Sequence, residues 1–428
     1  MKIQSKIVVG YDLGNSISQM SYCILEENEP ITMTLKSANN AKNIPSVLAK
    51  RYGKNQWFYG QDALDKVKNN EAVLIDNIYQ LAIQGDDVTV DGQEYQSVEL
   101  LKLFVRKIFD TLRAMISYDQ IELFVISVDE INQNIINVLE TVVESLPMPR
   151  NRISFQTKEE CFFHYMVNSE PVLFENQVLL VDGVGEYITT YRLEFKKNYS
   201  PIIAYMEKKE YEYLRIDSSL KLQKATEEYL VELDDNISIV VDSLIKRNRI
   251  STVYFIGDIF VGEWYPSTIK AIGKSSRIFV GNNLFSKGAC QLAKDKLNIE
   301  VFSEKYCFLG NDKLKSNIVV VARSGDVVKE IPICNAGVNW YECEEETDFM
   351  LGSKNSFEIQ IKSLTDREEI REHIYLDGLP VRPEYTTRIR IRVSMRAEKI
   401  VCIEVFDMGF GDIFKSTNMM WNKEIIIN

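Results

Sequence analysis

Two aspartates carry the strongest chemical signal in this sequence. Asp12 lies in Gly10-Tyr11-Asp12-Leu13-Gly14-Asn15-Ser16 and Asp182 in Val181-Asp182-Gly183-Val184-Gly185, each where an apolar run gives way to small residues. Such a turn can aim backbone N–H groups at phosphate oxygens, while its carboxylate can hold a hydrated Mg²⁺. One Asp-Gly turn alone also makes an ordinary hairpin. Two, 170 residues apart and each opening an α/β half, point to a duplicated fold with a cleft between the halves. A third strand-end turn, Gly257-Asp258, closes the run Ser251–Ile256.

The other reactive side chains set limits. Only two histidines occur, His164 and His373, without metal-ligand spacing, which argues against a histidine zinc site or a Ser-His-Asp hydrolase. Seven cysteines, Cys23, Cys161, Cys290, Cys307, Cys334, Cys343 and Cys402, form no CxxC pair and read as reduced thiols. A net charge of −12 disfavours a nucleic-acid surface. Arg388, Arg390, Arg392 and Arg396 alternate with apolar residues, as on the wet face of a strand. Trp264, Trp340 and Cys290 read as packing residues, and Glu344-Glu345-Glu346 as a solvated turn. No apolar run reaches the roughly 18 residues of a membrane span. Residues Met1–Lys6 lead straight into a strand pattern, so the expectation is a cytoplasmic chain without a secretion signal.

A chain of 428 residues needs more than one core. Ile7–Asp12 reads as a buried strand with Ser18–Leu25 as its hairpin partner. Ser97 can cap a helix whose Leu101, Val105, Ile108 and Leu112 recur at helical spacing. Strand Ile121–Ser127, helix Ile131–Ser145, a strand near Ile153 and helix Lys158–Val167 follow. The pattern then restarts with strands Val178–Asp182 and Tyr187–Phe195, helices at Ser218–Leu233 and Ser238–Lys246, strand Ser251–Asp258 and helix Leu284–Lys296. Beyond Ser316 short alternating runs separated by turn residues predict an all-β sandwich, with Pro380 and Pro383 in a connection because neither has an N–H for a ladder.

This order of elements resembles the actin, sugar-kinase and heat-shock-chaperone superfamily. Gly10–Ser16 resembles its first phosphate motif, Asp182–Gly185 its second and Tyr254–Asp258 its adenosine strand, while Gly288-Ala289 matches the Gly-Ala pair of its terminal connecting helix. Leu376-Asp377-Gly378-Leu379-Pro380-Val381-Arg382-Pro383 resembles a proline-rich turn of the seventy-kilodalton heat-shock chaperones. The segments Gly281–Ala289 and Ala336–Trp340 suggest a divergent bacterial branch of that family. The resemblance implies an α/β fold: a duplicated actin-like (ribonuclease H-like) nucleotide-binding domain over residues 1–312, with halves 1–172 and 173–312 and a reduced clamp subdomain. A β-sandwich over 313–428 would follow, without a helical lid. It implies nucleotide contacts at Asp12, Gly14, Asn15, Ser16, Asp182, Gly183, Gly185, Gly257 and Asp258, with Mg²⁺ held through water by Asp12 and Asp182. It also implies protein or extended-peptide binding at sandwich loops such as Arg323, Ser324 and Gly325.

Departures from the family pattern weaken the catalytic expectation. Glu186 and Tyr187 stand where phosphate should approach, and Glu186 would repel it. Thr189 takes the place of the motif's second aspartate, and Ile78–Leu81 supplies no phosphate-contacting lysine. The catalytic glutamate position falls at Gln156 or Thr157, with Glu159 or Glu160 as substitutes after a register shift, and Asp258 replaces a glycine beside the purine. Phosphoryl transfer depends on positioning and electrostatics, so efficient ATP hydrolysis is not expected. The leading expectation is a chaperone-like or partner-binding protein with a degenerate nucleotide site, a pseudo-ATPase. ATP or ADP with Mg²⁺, and no cofactor at all, remain equally open. The alternatives are a working ATPase in which Asp12 and Asp182 surround Mg²⁺ and Glu159 orients water, and an actin-like assembly or scaffold protein.

Overall fold

The computed structural model describes residues 5–34, 42–113, 115–217, 225–260, 262–274, 276–324, 327–364 and 369–427. It is mixed α/β, with several separate sheets, and it divides into two compact units, Met1–Cys307 and Phe308–Asn428.

In the first unit, strand β1 (Ile7–Asp12) pairs antiparallel with β2 (Ile17–Ile24), which β3 (Ile31–Thr32) extends. On its other side β1 runs parallel to β4 (Ile121–Val128), which runs parallel to β5 (Ile153–Thr157). Every residue of β1 is buried because the sheet is covered on both faces. Ile7, Val9 and Tyr11 face helix α1 (Ser97–Leu112) through Leu101, Phe104, Val105 and Ile108. The alternate residue Val8 packs on Ala289 and Cys290.

The second sheet has the same pairings around β6 (Gln177–Asp182). It is antiparallel to β7 (Tyr187–Lys196), which pairs with β8 (Ile202–Arg215); on its other side it is parallel to β9 (Ile250–Ile256), which is parallel to β10 (Arg277–Val280). The edge strand β11 (Tyr306–Phe308) completes it beside β8.

Helix α2 (Lys158–Val167) and helix α4 (Leu284–Leu297) cross at Gly288, where a Cβ would lie 1.9 Å from the Cys161 carbonyl oxygen. That crossing explains the Gly-Ala pair: only a hydrogen fits there. Gly10 is similarly tight, since a Cβ would meet the Ser286 carbonyl oxygen at 2.2 Å. Through Gly10 and Gly288, α4 seats on β1 and α2 at backbone contact.

Some local expectations are corrected. Ser97 does not cap α1; it is the helix's first residue, and its hydroxyl donates to the Leu81 carbonyl at 3.0 Å. The helices expected at Ser218–Leu233 and Ser238–Lys246 are one helix, α3 (Glu227–Arg247), capped by Thr226, whose hydroxyl accepts from the Tyr229 N–H. Residues 218–224 lie outside the described residues. The 14-residue β8 carried no recognisable period, because its Met206–Glu210 stretch is largely exposed and highly charged.

The second unit packs two four-stranded antiparallel sheets face to face. One contains β12 (Ser316–Ser324), β13 (Val327–Cys334), β15 (Ser356–Ser363) and β16 (Glu369–Tyr375), in the order β13-β12-β15-β16. The other contains β14 (Glu344–Met350), β17 (Arg388–Ala397), β18 (Ile400–Gly409) and β19 (Met420–Ile426), in the order β14-β17-β18-β19. Ile389, Ile391 and Val393 alternate inward against Val401, Ile403 and Val405. On the outer face Arg388 and Arg390 pair with Asp348, Arg392 with Glu346 and Glu404, and Arg396 with Glu424. Glu344-Glu345-Glu346 therefore begins a strand and is not a turn, with Glu346 answering two of these arginines. Pro380 and Pro383 lie between β16 and β17, outside any strand.

Candidate functional site

Parallel strands in each sheet of the first unit end at the same level, and their ends meet at one cavity of about 260 Å³. Asp12, Asp182 and the Gly257-Asp258 turn all contribute to its wall. Apolar groups from Ile17, Val184, Ile256, Ile259, Leu284 and Phe285 complete it.

The residue that organises the cavity is Lys158, which the sequence reading did not single out. It is the first residue of α2, whose cap Thr157 accepts from the Glu160 N–H. An ammonium is unfavourable at a helix N-terminus, where the macrodipole is positive. Lys158 is held there by carboxylates: its Nζ lies 2.9 Å from Asp129 Oδ1 and 3.6 Å from Asp12 Oδ1, and it faces the Phe285 ring at 5.6 Å. Asp129 directly follows β4, whose Ser127 pairs in register with Asp12 and donates its hydroxyl to Asp12 Oδ1 at 3.2 Å.

Burial pushes the Asp12 carboxyl up to about 6 despite the nearby ammonium. Burial likewise raises Asp182 to about 6, against the lowering effect of the Val184 N–H and Lys158. For Lys158 burial opposes the charge, but Asp12, Asp129 and Asp182 outweigh it and hold the amine protonated, above the ordinary lysine range. Among the described residues no three His, Cys, Asp or Glu side chains converge as a metal-binding group. The cation between these carboxylates is the lysine.

Three peptide N–H groups of the strand-end turns have internal acceptors. The Leu13 N–H donates to the Ser127 carbonyl at 2.9 Å, the Gly183 N–H to the Ile256 carbonyl at 2.9 Å, and the Val184 N–H to Asp182 Oδ1 at 2.8 Å. Gly257 has φ 112°, and a Cβ there would lie 2.8 Å from the Gly183 carbonyl carbon. Close packing of the two turns on each other accounts for these glycines without any ligand.

A chain of side-chain hydrogen bonds spans the cavity. Gln19 donates to Asn43 Oδ1 at 2.5 Å, Asn43 Nδ2 to both Asp258 oxygens at 3.0 Å, and Asn282 Nδ2 to Asp258 Oδ1 at 2.7 Å. Asn282 Oδ1 accepts from the Gly257 N–H at 2.9 Å. The carboxylate expected beside a purine thus already accepts from two side-chain amides.

Of the residues singled out from sequence, Asp12, Ser16, Asp182, Gly183, Gly257 and Asp258 line the cavity. Gly14 and Asn15 do not; Asn15 Oδ1 accepts from the Gln80 N–H, and its amide donates to Asn77, so it anchors the helix Ile78–Gln84. Gly185 and Glu186 are exposed and Tyr187 is half-buried, all three off the cavity wall, which corrects the expectation that Glu186 and Tyr187 would obstruct it. Glu159 is buried but also off that wall. Gln156, in register with Ser127, is fully buried, with neither amide atom partnered by protein. Arg323 and Ser324 end β12, paired with Val328 and Val327, so their backbone is in the ladder and not in an open loop. Gly325 lies outside the described residues.

No described helix is long and apolar enough to cross a membrane. Residues 29–311 match a family described as a family of unknown function (DUF5716), C-terminal, and residues 313–427 match a domain of unknown function (DUF8552). The first match spans well over half of the chain, and the protein belongs to that family. Comparison with curated proteins gave no match.

Proposed function

We propose that this protein is a chaperone-like, partner-binding molecule on a duplicated actin-like (ribonuclease H-like) framework, whose former nucleotide cleft is now a self-satisfied structural site. The same succession of one antiparallel and two parallel pairings around β1 and around β6 supports the duplication. One observation carries the loss of nucleotide chemistry: the Lys158 ammonium sits between Asp12 and Asp129, where a hydrated cation would have to bind. Mg²⁺ does not fit this arrangement, since bringing it to Asp12 and Asp182 sets two cations together in a buried space. The peptide N–H groups of Leu13, Gly183 and Val184 have internal acceptors, so a polyphosphate would have to compete with them for these three donors.

The sandwich then provides the binding surface. Strand β13 is an edge, with Val327 and Val328 exposed, and an extended segment of a protein partner can add to it through backbone hydrogen bonds. The decisive experiment is calorimetric titration of the full chain with ATP and ADP, with and without Mg²⁺, alongside a turnover assay. The expected result is no Mg²⁺-dependent binding and no turnover above background. Rapid Mg²⁺-dependent hydrolysis abolished by Asp12→Asn would overturn this reading in favour of an ATPase.

A further inference from the structure

Cys334 and Cys343 belong to the sandwich and are not among the residues that line the cavity just described. Cys334 is the last residue of β13 in one sheet of the sandwich, and Cys343 immediately precedes β14 in the other. Both are buried in the core between the sheets, and their sulphurs share a hydrogen bond at 2.8 Å. Less than about 1 Å of approach separates them from disulfide length, ~2.0 Å.

We propose that Cys334 and Cys343 are a reversible thiol–disulfide site, oxidised by a hydroperoxide, that staples the two sheets together. With the sulphurs 2.8 Å apart, either one can attack as thiolate and be resolved by the other; Cys343 attacking first gives one such route. Its thiolate attacks the O–O bond of hydrogen peroxide, giving a sulfenic acid and hydroxide. The Cys334 sulphur then attacks the sulfenic sulphur, the S–S bond forms, and the hydroxyl leaves as water after taking up a proton. Overall two thiols lose two electrons and two protons, and one peroxide becomes two waters. A dithiol reductant reverses the step by exchange.

The bond would close the crossover Asn335–Glu342, which is laced to the start of the unit. Gly337 N–H donates to the Leu314 carbonyl at 2.8 Å, Leu314 N–H to the Val338 carbonyl at 2.9 Å, and Ala336 N–H to Asn317 Oδ1 at 2.8 Å. Oxidation would therefore join the two sheets covalently across a crossover that hydrogen bonds already tie to Leu314 and Asn317.

The test treats the full chain with hydrogen peroxide, blocks remaining thiols with iodoacetamide and maps peptides by mass spectrometry. A Cys334–Cys343 cross-link is expected, reversed by dithiothreitol and retained in Cys402→Ser. The melting temperature of the sandwich should rise by roughly 5–10 °C on oxidation. The double variant Cys334→Ala/Cys343→Ala should show no peroxide-dependent shift. Both thiols remaining alkylatable while Cys307 or Cys402 oxidises would overturn the proposal, as would Cys343 stopping at sulfinic acid without a cross-link.

Discussion

Asp12 Oδ1 and Lys158 Nζ stand 3.6 Å apart, and neither side chain is more than about a tenth exposed. Asp12 belongs to the first strand among the described residues, and Lys158 to a helix that follows β1, β4 and β5 in sequence. The contact joins the end of β1 to the start of α2, with Asp129 completing it from the end of β4. A buried ion pair of this kind adds little net stability over an apolar pair, yet removing one member leaves a charge in a dry place.

Lys158→Met is therefore expected to destabilise the first unit by about 3–5 kcal/mol. Urea unfolding followed by circular dichroism measures it. The double variant Lys158→Met/Asp12→Asn should recover a sizeable part of that loss, because the stranded carboxylate is neutralised. No recovery would mean that packing of the lysine stem, and not charge, holds the site.

The pH dependence at Asp182 has a definite sign. Its folded value is raised from 3.8 to about 6, so the folded state binds the proton more tightly. That contribution is fully present below pH 3.8 and is lost as pH rises through about 6. Asp182→Asn should match wild type near the acid end and exceed it at pH 7.5 by roughly 2–3 kcal/mol. Unfolding free energies measured across this pH range check it; a variant less stable than wild type at neutral pH would contradict the burial argument.

Gly288→Ala should be among the most damaging single substitutions in the chain. The added carbon would meet the Cys161 carbonyl oxygen at 1.9 Å, and a backbone atom inside α2 cannot move aside alone. A loss of more than about 3 kcal/mol, or failure to fold, is expected, against under about 1 kcal/mol for Gly352→Ala in an open loop. Thermal melts of the two variants decide it.

Asp407 plays the opposite electrostatic part in the sandwich. Burial works against its charge, but both Arg382 donors, the Thr417 N–H and hydroxyl, and the Gly409 N–H hold its carboxyl below the usual range. Its stabilising contribution is present above the ordinary carboxylate value and is lost as pH falls. Asp407→Asn should cost about 3–5 kcal/mol by stranding Arg382, whose side chain is nearly buried. Hydrogen exchange of peptides spanning 376–420 should rise first.

Period and turn chemistry made much of this architecture legible in advance. The buried run Ile7–Asp12, the heptad-like spacing of α1 and the alternation in β17 and β18 are local signals, and they specify their elements directly. The two aspartates were legible because each ends such a run. Lys158 was not, because its meaning depends on register: Asp129 reaches it only since β1 and β4 align Asp12 with Ser127. A lysine one residue past a threonine cap, against the helix dipole, was the available clue. Asn43 and Asn282 were invisible for a similar reason, each acting through a partner more than 20 residues away. Cys334 and Cys343, nine residues apart, match no spacing motif; the sandwich crossover brings them together.

The amide–carboxylate bridge from Asn43 to Asp258 has a kinetic meaning. It joins a segment beside β2 to the turn after β9, so a ligand that takes the Asp258 carboxylate as its acceptor must displace the Asn43 amide. Association would then be gated: the observed rate would climb with ligand concentration and level off at the opening rate of the bridge, a ceiling that Asn43→Ala would lift.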